Sequence, residues 1–141
     1  MSKLYTMVGL PGAGKSTFTK KHPECVVVSS DAVRAELFGD EAIQGDVTKV
    51  FAIVNARVHE ALNNGFDVIY DATSLTKKIR RGIIHSFNAE HIAVFVNTPV
   101  DECIRRDALR ARTVGANVIQ KMALRLSAPT VEEGFNSVII L

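Results

Sequence analysis

The stretch Gly9-Leu10-Pro11-Gly12-Ala13-Gly14-Lys15-Ser16-Thr17 constrains this chain more than any other. It fits the pattern G-x-x-x-x-G-K-[ST] without a gap, with Gly9, Gly14, Lys15 and Ser16 on the fixed positions. Glycines let successive backbone N–H groups turn inward around a polyphosphate, and the helix that follows adds its positive end. The context agrees: residues 4–8 form a short apolar run before the loop, and residues 17–21 can continue as helix, so strand, loop and helix come in the required order. Gly12, Ala13, Gly14, Lys15, Ser16 and Thr17 are therefore assigned to a nucleoside triphosphate. Lys15 would reach the β- and γ-phosphates, and the Ser16 hydroxyl would ligate Mg²⁺. The competing explanation, a chance glycine turn, fits poorly with the small intervening residues. The loop says what is bound and leaves open what happens to the γ-phosphate.

A chain of 141 residues is expected to form a single domain, 1–141, and 47% hydrophobic residues suffice for a core. No run of about 18 apolar residues suggests a membrane span. Met1-Ser2-Lys3 leads straight into a strand, with no apolar region or cleavage site of a signal peptide, so a cytoplasmic location is expected. Cys25 and Cys103 lie in apolar stretches without metal-ligand spacing and read as core thiols of a reducing compartment. The net charge of +2 is uneven: residues 1–75 carry 7 basic and 9 acidic side chains, and residues 76–141 carry 10 and 6. A basic second half suits an anionic ligand, although charged helix faces are commonly just solvated.

Apolar periodicity places strands at 4–8, 25–29, 66–70, 92–96 and 137–141. The first helix ends near His22-Pro23. Asp31 can cap a second helix through Val33, Leu37 and Phe38, closed by Gly39, and a polar connection follows to Gly45. Residues 47–64 make the longest helix, with Val47, Val50, Phe51, Val54, Val58, Ala61 and Leu62 in one stripe. In a helix over 76–87, Ile79, Ile83, Ile84 and Phe87 turn inward, and Lys77, Lys78, Arg80 and Arg81 lie outside. Pro99 starts a helix containing Cys103, Ile104 and Leu109; residues 113–116 interrupt it, and helical spacing resumes over 118–126. Strands alternating with helices imply right-handed βαβ units. The expected fold is α/β: a three-layer fold, with a five-stranded parallel sheet and helices on both faces.

In such a sheet, ligands gather outside the carboxyl ends of the strands. Asp31 and Asp71 lie there with the phosphate loop. A carboxylate beside a metal–phosphate cluster can accept a hydroxyl proton or hold water on Mg²⁺. Either aspartate can equally cap the helix that follows it. Arg105, Arg106, Arg110 and Arg112 follow the fourth strand, where Thr113-Val114-Gly115 can hinge a lid. A guanidinium on the transferring phosphoryl group is worth roughly 10³ to 10⁵ in rate. At least one or two of these four are expected to be a solvated face; the pairs Lys77-Lys78 and Arg80-Arg81 could contact the phosphates of a polymer, with a solvated face the preferred reading.

The set Gly9 to Thr17, Ser30-Asp31-Ala32-Val33-Arg34, Asp71-Ala72-Thr73-Ser74-Leu75 and Arg106-Asp107-Ala108-Leu109-Arg110 resembles the phage-type polynucleotide 5′-hydroxyl kinases. It is also similar to their wider group of small AAA-like P-loop kinases, as is the tail Ala128-Pro129-Thr130-Val131-Glu132-Glu133-Gly134-Phe135. The resemblance implies that Asp31 is the general base and that Arg34 touches the acceptor phosphate or the transferring group. It implies that Asp71, with Thr73 on the acceptor side, orients the acceptor or the metal's water shell. It places Arg106 and Arg112 on the nucleotide and Arg110 on the transition state, with Arg110 or Arg112 as the lid arginine. Where polynucleotide kinases commonly have arginine and a second aspartate around the base, this chain has Ser30 and Ala32.

The expected activity is transfer of the γ-phosphate of ATP, with Mg²⁺, to a hydroxyl, foremost the 5′-hydroxyl end of RNA or DNA. The alternative is a P-loop kinase of a small metabolite or antibiotic. Ranked third is a non-catalytic nucleotide-binding module; the guanine-reading N-K-x-D of GTPase switches is absent.

Overall fold

The computed structural model describes residues 1–39, 46–111 and 113–141. The expected connection over residues 40–45 and the candidate Arg112 lie outside the described residues. The chain runs β1 (Lys3–Val8), α1 (Lys15–Lys20), β2 (Val26–Ser29), α2 (Ser30–Phe38), α3 (Val47–Asn63), β3 (Val68–Asp71) and α4 (Lys77–Ser86). It continues as β4 (Glu90–Phe95), α5 (Val100–Ala108), α6 (Ala116–Arg125), a 3-10 turn (Val131–Glu133) and β5 (Ser137–Ile140). The sheet order is β2-β3-β1-β4-β5, and every pair is parallel. This is the expected five-stranded α/β fold.

β1 is central, with β3 on one side and β4 on the other, which is why its residues 4–8 are all buried. Alternation along it divides the core in two. Tyr5 and Met7 pack with Phe18 of α1, Cys103 of α5 and Ile119 of α6. Leu4 faces the other way, where Val33, Val50, Val54, Val58 and Ile83 close the opposite layer from α2, α3 and α4. Both cysteines are buried and unbridged, as expected.

Four local expectations need correction. Asp31 does not cap α2: the Ser29 side chain accepts from Ala32 N, and Asp31 stands within the first turn. Val47, the first residue of α3, is half exposed and outside the buried stripe of Val50, Val54, Val58 and Ala61. Leu109 follows the last turn of α5 and is 75% exposed. The largest change is in α4, where Arg80 is 0% exposed and Ile79 is 44% exposed. Arg80 stands three and seven residues before Ile83 and Phe87, on the same stripe. Its charge is compatible with that position because Glu133 reaches it from the 3-10 turn, at 2.8 Å and 2.9 Å.

Candidate nucleotide and acceptor site

The phosphate loop leaves β1 at the carboxyl edge of the sheet and is fastened from three sides. Gly9 N donates to Thr73 O at 3.1 Å, joining it to the end of β3. Thr98 Oγ1 and an Arg106 guanidinium nitrogen both donate to Ala13 O, at 2.7 Å and 3.1 Å. Gly12 and Gly14 have φ of 81° and 102°, and a Cβ on Gly12 would stand 2.5 Å from the Cys103 carbonyl oxygen. That close approach and the left-handed backbone both demand glycine there. Gly14 precedes α1 with no side chain capping the first turn.

The loop forms one wall of a cavity of about 830 Å³, to which Gly12, Gly14, Lys15 and Ser16 contribute. Asp31, Arg34, Asp71 and Thr73 line the same cavity, as do Arg106 of α5 and Arg110 just after it. The structure thus brings most of the expected site residues together. Ala13 takes part through its carbonyl beneath the loop, and Thr17 is not on the cavity wall. Val118 and Met122 of α6, and Phe51 of the α3 stripe, add apolar lining that the sequence did not assign to the site.

The charges in the cavity act on one another. Lys15 Nζ donates to Gly9 O at 3.0 Å. Burial pulls the ammonium below its ordinary pKa, opposed by Asp71 and Asp31. Burial likewise pushes the Asp71 carboxyl up, with Lys15 opposing and Asp31 adding to the rise. Neither aspartate is engaged as a helix cap, since Ser29 caps α2 and Thr76 caps α4. Arg34 donates to Asp31 at 2.9 Å, and its buried Nε has no partner among the described residues. Arg106 is braced by Glu102, whose carboxyl is held down to about 2 by hydrogen bonds from Arg105 and then Arg106.

Two supporting residues escaped sequence reasoning. Asp107 is buried and accepts from Val114 N and Gly115 N at 2.9–3.1 Å, with Arg110 3.6 Å away. It pins the segment after α5 to the end of that helix. Arg80 donates to the carbonyls of Ser74, Leu75 and Ser127, at 2.9–3.0 Å, and to Ser127 Oγ. Ser74 has φ of 47°, so Arg80 holds a strained turn directly behind Asp71 and Thr73. The only hint in the sequence was an arginine at a core position of the α4 stripe. One other cluster, His22, Glu24 and Cys25, brings potential ligand atoms within 4.8 Å. It precedes β2, at the amino edge of the sheet, and burial pushes the Cys25 thiol up to about 11, keeping it protonated.

These residues fit a nucleotide with a divalent cation. The loop contains Gly12, whose Cβ would not fit, a part-buried ammonium shares the cavity with two carboxylates, and the exposed Ser16 lines the same cavity. The fold and site are those of a P-loop domain of the kinase type. A family model described as an AAA domain matches residues 4–129, and the chain belongs to that family.

The chain is 24% identical over 138 residues to the L-seryl-tRNA(Sec) kinase of Methanococcus maripaludis, covering 89% of this chain and 53% of that protein. It thus spans about half the length of the curated relative it matches. Among solved structures it is similar to a chain of the Pnkp1/Rnl/Hen1 RNA repair complex, with 26% identity and a TM-score of 0.80, covering 89% of this chain and 44% of that one. A sugar kinase from Janibacter sp. HTCC2649 shares the fold at a TM-score of 0.73 and 16% identity, covering 100% of this chain and 85% of that one. No helix among the described residues is long and apolar enough to cross a membrane.

Proposed function

We propose that this domain transfers the γ-phosphate of ATP to a hydroxyl, foremost the 5′-hydroxyl of an RNA or DNA end. The observation that carries this reading is that Asp31 and Asp71 share one cavity with Lys15, and that neither carboxylate is used as a helix cap. Lys15 and the amides of residues 12–17 hold the phosphates. Ser16 and Asp71 would hold Mg²⁺, which would neutralise phosphate charge. The acceptor hydroxyl oxygen attacks the γ-phosphorus, its proton passes to Asp31, and ADP leaves with the bridging oxygen. Arg34 and Thr73 face the acceptor, Arg106 the nucleotide, and Arg110 the charge that spreads over the transferring group. The 59%-exposed side chain of Asp31 remains accessible to an incoming acceptor.

The curated relative is named for a seryl-tRNA and the solved complex for RNA repair, and both names support an RNA-linked acceptor. Asp31→Asn tests the assignment: γ-phosphate transfer to a 5′-hydroxyl oligonucleotide should fall at least ~10²-fold with nucleotide binding intact. Undiminished turnover in that variant removes Asp31 as the base.

A further inference from the structure

We infer that a nucleic-acid strand, its end in the cavity, runs out over a cationic track formed by the first turns of α4 and the last turn of α6. The inference rests on the hydroxyl-kinase reading and names where the rest of the acceptor lies. Its starting point is the inward turn of Arg80. With that arginine consumed in the interior, the exposed cations of α4 are Lys77, Lys78 and Arg81. Two lysines in the first turn of a helix oppose its macrodipole, and that turn contains no acidic residue. The acids facing α4 from the 3-10 turn are Glu133, neutralised by Arg80, and the exposed Glu132.

The arginines show the same selectivity. Arg34, Arg57, Arg80, Arg105, Arg106 and Arg110 each face a carboxylate. Arg81 of α4 and Arg125 in the last turn of α6 have no ion-pair partner among the described residues. These two helix ends meet. Ser127, just beyond α6, donates its N–H to Leu75 O and accepts from Arg80, both at 3.0 Å. Val118 and Met122 of α6 line the cavity, and steps of about 100° per residue put Arg125 within about 60° of them, one turn further on. On the other side, Lys77 follows Thr73 of the cavity wall by four residues, and a helix after a parallel strand begins at the ligand edge of the sheet. The unpaired cations therefore continue the cavity wall outward on both sides of the Arg80 anchor. A chain of phosphates spaced along a strand matches such a series; a single small acceptor inside the cavity does not reach it.

The test uses the triple variant Lys78→Gln, Arg81→Gln, Arg125→Gln, all at exposed positions outside the proposed machinery. Fluorescence anisotropy of a labelled 5′-hydroxyl oligonucleotide of about 12 nucleotides, across a salt series, reads the track directly. The variant should bind at least ~10-fold more weakly at low salt. Its slope of log K against log salt should be shallower by about 2, from roughly 0.7 per phosphate contact on a single strand. Binding of a fluorescent ATP analogue and phosphorylation of a dinucleotide should stay within about twofold. Unchanged oligonucleotide affinity and slope overturn the track, whether or not the wild type phosphorylates the strand. Equal losses for oligonucleotide and ATP analogue overturn it as well. A polyglutamate that competes as well as oligonucleotide overturns the nucleic-acid assignment. A wild type that binds the strand through these cations but transfers phosphate to no hydroxyl leaves the track standing and overturns the kinase reading instead.

Discussion

Removing the Arg80 guanidinium should be among the most destabilising single changes in this domain. Arg80 and Glu133 have side chains only 1% exposed, so the pair sees almost no water. In Arg80→Met, the Glu133 carboxylate loses its countercharge, and the carbonyls of Ser74, Leu75 and Ser127 lose a donor. Breaking a buried ion pair by deleting one partner costs about 3–5 kcal/mol, because the surviving charge stays buried. Set against a typical total of ~5–15 kcal/mol, that is a fifth or more of a domain's stability. A fall in melting temperature of roughly 10–15 °C follows at this chain length.

The double variant Arg80→Met with Glu133→Leu removes both charges. It should be less destabilised than the sum of the single variants, since neither charge is then stranded. It should not return to wild type, because the Ser74 and Ser127 carbonyls lose their donor at about 1 kcal/mol each, Leu75 O keeps only the Ser127 N–H, and Thr130 N loses its acceptor on Glu133. Urea unfolding of the four proteins, compared at constant slope, measures the cycle. Strictly additive losses, or an Arg80→Met cost below ~1 kcal/mol, would refute the reasoning. Arg80→Lys keeps the charge but lacks the planar fork, and should fall between wild type and Arg80→Met.

Two further outcomes follow from the site itself. Burial raises the folded pKa of Asp71 above its ordinary 3.8, so the fold favours the protonated acid and its ionisation at neutral pH opposes folding. Asp71→Asn should therefore raise the melting temperature at pH 7 while impairing transfer. The gain should fade as pH falls through the raised pKa toward 4; equal or lower melting at pH 7 contradicts the burial argument. Gly12→Ala meets both a φ of 81° and a backbone oxygen 2.5 Å from the new Cβ, whereas Gly65→Ala meets a φ of 84° and open space. Gly65→Ala should cost only the left-handed penalty of about 1–2 kcal/mol. Gly12→Ala should cost more and weaken nucleotide binding at least tenfold, as read by calorimetry; similar behaviour of the two variants would remove the close approach as the reason for glycine.

What could be read from the chain alone was whatever local physics determines. The phosphate loop was legible because glycine, lysine and serine at fixed spacing have few other uses, and because an apolar strand and a helix flank it. All five strands were legible from short apolar runs between turn residues, and so were two aspartates at strand ends. Tertiary structure decided which strands are neighbours. Only the placement of β3 beside β1 brings Asp71 and Thr73 up to Gly9 and Lys15, and no periodicity records strand order. It also decided the capping, because a serine two residues before Asp31 and a threonine five residues after Asp71 have the right geometry. Arg80 shows the reason most plainly. Its position on the helix pointed inward and its charge pointed outward, and the conflict was resolved by Glu133, 53 residues away, which only the folded chain brings within hydrogen-bond reach.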